Sequence, residues 1–377
     1  MKEEPYPLNR KKMTTLFQDR GLAEIADKVF DERRLSKEDG MVLMNSNNIL
    51  FLGYLARYVN ERKNKNLVFF NVNRHINLTN ICISRCKFCA FSRDREDTDA
   101  YTMSIDQVVQ DALDAVPLGI TELHVVSGLH PDLPFDYYIE VIKRLKEALP
   151  NVHIQAFTAV EIHYFSEISG LSIEEVLKAL KNAGLGSLPG GGAEIFNPEI
   201  RSRICPRKAS GIEWLQVMRT AHHLGFKSNA TMLYGHIETL EDRIDHLLTL
   251  RELQDETHGF QSFIPLSFHP LHTALSDIQK PSAFEDLKML AIARLMLDNF
   301  NHIKAFWIMT GLNVSQLSID FGVDDLDGTI VEEKITHAAG AKTEKSIEKN
   351  ELIRLIKEMG RVPVERDTLY NKINIYQ

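Results

Sequence analysis

The chain has 377 residues, with 44 Lys and Arg against 52 Asp and Glu, hence a formal charge of −8, and 44% of it is hydrophobic. These are globular proportions that exclude a disordered or low-complexity chain, and the acidity excludes a sequence-independent nucleic-acid binder, which needs a basic face. The longest apolar stretch, residues 49–59, is interrupted by Arg57 and falls far short of the roughly 20 residues of a membrane span.

The opening MKEEPYPLNRKK leads into no apolar core of a secretory signal, so a cytoplasmic protein with no membrane partner is expected. Residues 1–66 read as an N-terminal helical region. Ser36-Lys37-Glu38-Asp39 has the spacing of a capping box, and Leu52, Leu55, Ala56 and Val59 share one helical face. The polar run Glu61-Arg62-Lys63-Asn64-Lys65-Asn66 closes the region.

From residue 67 the pattern changes to β-rich apolar segments at 67–81, 122–126, 153–160, 186–195, 227–233, 260–268 and 303–309. Amphipathic helical segments separate them. Ser104 with Gln107 and Ser172 with Glu175 mark helix starts, and Gly119, Gly184, Gly225 and Gly259 mark helix ends. Repeated βα units form either an open doubly wound sheet or a barrel. Polar residues gather at many strand ends, namely Asn80, Ser127, Glu161, Glu194, His236 and His269. Only a barrel brings all such ends to one mouth. The expectation is an α/β fold, a full or partial TIM-like barrel over 67–340. A charged stretch and a last amphipathic helix bearing Leu352, Leu355 and Ile356 predict a short helical C-terminal extension over 341–377.

Of four cysteines, three lie in Cys82-Ile83-Ser84-Arg85-Cys86-Lys87-Phe88-Cys89, just after the first barrel strand. Neighbouring cysteines are badly placed to staple a fold of this size. Three thiolates on one loop can hold a metal centre, and Arg85, Lys87 and Arg93 are expected to favour the thiolate form. Two readings stand: a 4Fe–4S cluster with one iron left open, or a zinc loop completed by a residue such as His75. Phe88 would give a cluster an apolar cover. Cys205, in a remote βα unit, reads as a small buried or loop residue.

The cysteine spacing, with an aromatic residue before the last cysteine, resembles the radical S-adenosylmethionine (radical SAM) superfamily. Asn73-Arg74-His75-Ile76-Asn77, Cys89-Ala90-Phe91-Ser92-Arg93 and Leu188-Pro189-Gly190-Gly191-Gly192-Ala193-Glu194-Ile195 resemble a subgroup of menaquinone-pathway enzymes and deazaflavin-forming FO synthases. Ser127-Gly128-Leu129-His130-Pro131-Asp132, Asn229-Ala230-Thr231-Met232-Leu233-Tyr234-Gly235-His236 and Asp324-Asp325-Leu326-Asp327-Gly328-Thr329 are similar, within it, to the aminofutalosine synthase family.

The resemblance implies a 4Fe–4S cluster on Cys82, Cys86 and Cys89, with S-adenosylmethionine as cosubstrate. It implies addition of a 5′-deoxyadenosyl radical to the enol ether of 3-[(1-carboxyvinyl)oxy]benzoate, giving 6-amino-6-deoxyfutalosine. An electron donor such as flavodoxin or ferredoxin is implied too. Because the substrate is a dicarboxylate and the protein is acidic, positive or hydrogen-bonding groups must be local. Read against that chemistry, His130, His236 and His269 are catalytic candidates and Arg201 a substrate-binding one. Ser127, Gly128, Glu161, Glu194, Asn229 and Tyr234 are cofactor-binding candidates. A cyclic dehypoxanthinylfutalosine synthase or an FO-synthase-like radical SAM enzyme, and in a second class a non-catalytic metal or iron–sulfur protein, are the competing readings. Cys82→Ala, Cys86→Ala and Cys89→Ala are each expected to abolish activity and bound iron. Cys205→Ala should retain both, and a folded but inactive Cys205→Ala protein would contradict the ligand assignment.

Overall fold

The computed structural model describes residues 20–330 and 332–377, so residues 1–19 of the expected helical region lie outside the described part. The described part opens on three helices, Arg20–Phe30, Lys37–Asn45 and Ile49–Asn64. The capping box forms as its spacing requires: Asp39 N–H donates to Ser36 Oγ at 3.3 Å and Ser36 N–H to the Asp39 carboxylate at 2.8 Å. Ser104 with Gln107 and Ser172 with Glu175 cap their helices in the same way. No helix among the described residues is long and apolar enough to cross a membrane.

Seven parallel strands follow one another in chain order: β2 (Asn73–Asn77), β3 (Glu122–Val126), β4 (His153–Ala156), β5 (Ser187–Leu188), β6 (Lys227–Tyr234), β7 (Phe260–Ser267) and β8 (His302–Ile303). A second sheet has the order β11-β10-β1-β9, with β1 (Leu67–Asn71), β9 (Asp325–Gly328), β10 (Val362–Arg366) and β11 (Lys372–Ile375). The two sheets join at the open edge. Asp324 N–H donates to Ile303 O at 3.2 Å, Ala305 N–H to Asp325 O at 2.9 Å, and Phe69 N–H to Asp324 O at 2.7 Å. The hydrogen-bonded ring therefore runs from β8 through β9 to β1, which continues into β2.

Buried charge pairs secure this closure. Asp324 accepts from Arg294 at 2.6 Å and meets His302 Nδ1 at 2.5 Å. Asp325 accepts from Arg366 at 2.6 Å, and Asp327 from Lys304 at 2.8 Å. Tyr370 stacks on His302 with ring centroids 3.7 Å apart, and the Arg366 guanidinium lies 4.3 Å from its ring centre. Charges so far from water are tolerable only when paired.

Several expectations are corrected. The strand foreseen over 67–81 breaks at Val72, because β1 and β2 pair with different sheets. Over 186–195 only Ser187–Leu188 is strand, and over 303–309 only the first residue; the chain then turns into the barrel mouth. The helix ending at Thr257 places His258, not Gly259, in the left-handed region, at φ 50°. Gly259 is needed for space: a Cβ there would sit 2.0 Å from His222 Cγ. The C-terminal extension carries its amphipathic helix, Lys349–Glu358, but β10 and β11 make it only partly helical.

Removing one partner of a buried ion pair typically costs about 3–5 kcal/mol. Arg366→Met should therefore lower unfolding free energy by about that much in urea melts. Arg366→Met with Asp325→Leu should lose clearly less, and equal losses in both proteins would contradict the closure role.

Candidate active site

Alternation along the strands turns Asn73, His75 and Asn77 of β2 and Glu122, His124 and Val126 of β3 into the barrel, where they line one cavity of about 340 Å³. Its floor is polar. His75 and His124 are direct partners across β2 and β3 and stack with ring centroids 4.5 Å apart. His124 Nδ1 meets Gln155 Oε1 at 3.1 Å. The Lys304–Asp327 pair also faces the cavity. Burial, then the charges of His124 and Lys304, holds the His75 imidazole well below its usual range.

The cysteine loop forms the opposite end of the cavity. Backbone bonds fix it: Cys82 N–H to Arg93 O at 3.1 Å, Ile83 N–H to Leu129 O at 3.0 Å, and Lys87 N–H to Ile204 O at 2.8 Å. Gly128 passes so close behind that a Cβ would lie 2.4 Å from Ile81 O, so no other residue fits without a shift. Cys82, Cys86, Phe88 and Cys89 all line the cavity.

The expected electropositive effect on the thiols is corrected. Arg85 pairs with Asp94 at 3.4 Å and Arg93 with Asp99 at 2.7 Å, while the Lys87 side chain is exposed. Cys205 is not remote: it lies beside Cys86, and its proximity together with burial pushes the Cys86 thiol well up. Burial and Cys86 push Cys89 up to about 11, against the Phe91 and Ser92 N–H groups that face its sulfur. Loading a metal centre must therefore displace protons.

The donor set fits an iron–sulfur cluster better than zinc. Among the described residues no group of three or more His, Cys, Asp or Glu side chains is disposed to hold a single metal ion. His75, the possible fourth zinc ligand, instead stacks on His124 and meets Asn73 Nδ2 at 3.4 Å. A four-iron cluster is wider than one ion and keeps its three thiolates apart. The hydroxyls of Ser84, Ser92 and Ser127 are buried at this end without a hydrogen-bond partner, so polar atoms stand ready for a ligand.

The cavity gathers the three cysteines, Ser127, Gly128, Glu161, Glu194, Asn229 and His269. Glu161 lies not at a strand end but in the first turn of helix Ala159–Ser169, where it accepts from Thr158 N–H at 2.7 Å and from Ser127 N–H at 2.8 Å. Asn229 Oδ1 accepts from Ser262 Oγ at 2.8 Å, which leaves its amide N–H groups for the cavity. His269 Nε2 donates to Met309 O at 2.9 Å and so keeps Nδ1 as an acceptor.

Four candidates do not line the cavity. Arg201 spends its guanidinium on the carbonyls of Gly192, Ala193, Ile195 and Ala209. Tyr234 donates to Asp286 at 2.5 Å behind the barrel wall. His236 is held in its turn by Leu233 O at 3.1 Å and Glu238 at 3.0 Å. His130 Nδ1 accepts Asp132 N–H at 3.1 Å.

The residue missed in the sequence is Lys208. Its ammonium lies 2.6 Å from Glu194 and 5.3 Å from the centre of the Phe88 ring, beside Cys86 and Cys205. Nothing in the run Arg201 to Lys208 distinguishes it from surface cations. The His75–His124 floor did leave a signal, because polar residues recur at every second position of two barrel strands.

Burial raises Glu161 from its ordinary 4.5 to about 7. The folded form thus binds this proton more tightly, so the associated stability is full below pH 4.5 and is lost as pH rises towards about 7. Urea midpoints of the parent should fall across that window relative to those of Glu161→Gln; parallel curves would contradict the shift.

The radical SAM superfamily matches residues 76–250, and the CofH/MqnC C-terminal region matches residues 257–377. The chain is 47% identical to aminodeoxyfutalosine synthase of Thermus thermophilus, over 95% of its own length and 97% of that protein. It is 41% identical to the 5-amino-6-(D-ribitylamino)uracil–L-tyrosine 4-hydroxyphenyl transferase of Methanopyrus kandleri, over 82% and 85%. The structure of methylornithine synthase superposes with a TM-score of 0.72 over 90% of this chain and 97% of that one, at 18% identity, which is a likeness of fold. With the cysteine loop at the mouth of such a barrel, the chain belongs to the radical SAM enzymes, in the family that includes the aminodeoxyfutalosine synthases.

Proposed function

We propose that the chain adds the 5′-deoxyadenosyl group of S-adenosylmethionine to the enol-ether double bond of 3-[(1-carboxyvinyl)oxy]benzoate, with methionine released, the carboxyl carbon lost as bicarbonate with water supplying its oxygen, and the initiating electron given back, so that the turnover is redox-neutral. The product is 6-amino-6-deoxyfutalosine, an intermediate of menaquinone biosynthesis. The observation that carries this reading is 47% identity to an aminodeoxyfutalosine synthase along 95% of the chain. Held by Cys82, Cys86 and Cys89, a 4Fe–4S cluster would supply the electron that splits S-adenosylmethionine into methionine and the 5′-deoxyadenosyl radical.

The chain's own groups then have distinct work. Lys208, beside Cys86, is the cation available to the methionine carboxylate, and Glu194 can accept from its amino group. Glu161 fixes the Ser127 N–H, so the Ser127–Gly128 backbone holds its distance from the cysteine loop. Asn229 faces the position open to ribose or adenine. At the floor, Lys304, His75, His124 and Gln155 offer the substrate's carboxylates a cation and further hydrogen-bond donors. His269 borders the space between, while His130, His236, Arg201 and Tyr234 act by holding the loops and wall around it. A small electron carrier, flavodoxin or ferredoxin, supplies the electron, and a reducing cytoplasm suits the cluster.

The 41% identity to a hydroxyphenyl transferase favours one second reading, transfer from tyrosine to a ribitylaminouracil. Incubating the reduced, reconstituted protein with S-adenosylmethionine and each substrate set separates them by mass spectrometry. An adenosyl adduct of the enol ether is expected. Accumulation of 5′-deoxyadenosine without that adduct, or a hydroxyphenyl product, would contradict the proposal. Lys208→Met should raise the KM for S-adenosylmethionine at least tenfold, and an unchanged KM would remove Lys208 from the site.

A further inference from the structure

The two flanks of the cysteine loop differ in charge. On one side every arginine is matched: Arg85 by Asp94 at 3.4 Å, Arg93 by Asp99 at 2.7 Å, and Arg95 by Asp132. On the other side Lys87, Arg203 and Arg207 are exposed, and none of them forms an ion pair among the described residues. They are neighbours in space. Lys87 N–H donates to Ile204 O at 2.8 Å, and Arg203 and Arg207 stand one residue before and three residues after Ile204. The acids nearby are Glu199, a turn before Arg203 on helix Pro198–Ile204, and exposed Asp277, three residues after Ala274, whose N–H donates to Lys87 O at 2.9 Å; no ion pair among the described residues joins either to the three cations. Exposed Pro206, between Cys205 and Arg207, adds apolar surface to the same face.

An unneutralised group of cations is a local exception on a chain of charge −8. It also lies beside the cluster ligands, since Lys87 directly follows Cys86. We propose that Lys87, Arg203 and Arg207 form the docking surface of a small acidic one-electron carrier protein. This rests on the assignment of a cluster to the three cysteines.

The step transfers one electron and no atoms: the carrier is oxidised by one electron and the cluster is reduced by one. Exposed ion pairs are individually weak, so three of them give a transient complex governed by its association rate. Charges beyond the screening length of about 8 Å at physiological salt contribute little, so the effect must come from this patch.

The test is stopped-flow reduction of the reconstituted cluster by reduced flavodoxin, with no S-adenosylmethionine or organic substrate present. Its outcome is therefore independent of the adduct assay. The parent's second-order rate constant should fall with added salt. Arg203→Glu with Arg207→Glu should lower it at least tenfold, Arg203→Lys with Arg207→Lys should keep it within about threefold, and dithionite should reduce all three proteins at similar rates. A parent rate indifferent to salt, an undiminished rate in the reversed variant, or an equal slowing with dithionite would each overturn the proposal.

Discussion

The structure depends on closing a seven-stranded sheet into a ring at an edge where β8 is only two residues long, His302–Ile303. So short a strand supplies few ladder bonds, and the closure falls to the aspartates that follow. Asp324, Asp325 and Asp327 each take a different buried cation, from Arg294, Arg366 and Lys304. Two of those cations come from elements far away in sequence, so the ring, the last barrel helix and the C-terminal strands become one cooperative unit. The third, Lys304, carries the closure into the cavity, where the same pair is part of the polar floor.

A closed ring creates a cavity with two unlike ends. At the mouth, thiols, a Lys208–Glu194 pair and hydroxyls without partners surround the cysteine loop. At the floor, stacked imidazoles and Lys304 lie deep between the strands. Burial acts in opposite directions on the groups at these ends. It pushes the Cys86 and Cys89 thiols and Glu161 up and the imidazole of His75 down, so each is held towards its neutral form. An enclosure whose remaining charges are paired suits a radical reaction, which must exclude water and stray protons while still binding a small polar molecule.

What the sequence made legible follows the range of the forces involved. Capping boxes at Ser36, Ser104 and Ser172 depend on residues three apart and form as read. The cysteine loop is equally local. The break at Val72 was not legible, because it depends on pairing of β1 with residues 325–328 and 362–365, near the other end of the chain. Lys208 was hidden for a similar reason: its burial depends on Glu194 and Phe88, which only the fold brings to it. Arg201 shows the converse. A cation near a strand end suggests anion binding, yet four backbone carbonyls claim it before any ligand can.

The proposed function requires Cys82, Cys86 and Cys89 to hold a 4Fe–4S cluster with one iron open to S-adenosylmethionine. This is tested by the electron paramagnetic resonance spectrum of the reduced, reconstituted protein, recorded with and without that cosubstrate. A 4Fe–4S signal that changes on adding S-adenosylmethionine is expected. A signal indifferent to it, or a colourless protein that binds zinc in place of iron, would rule the assignment out.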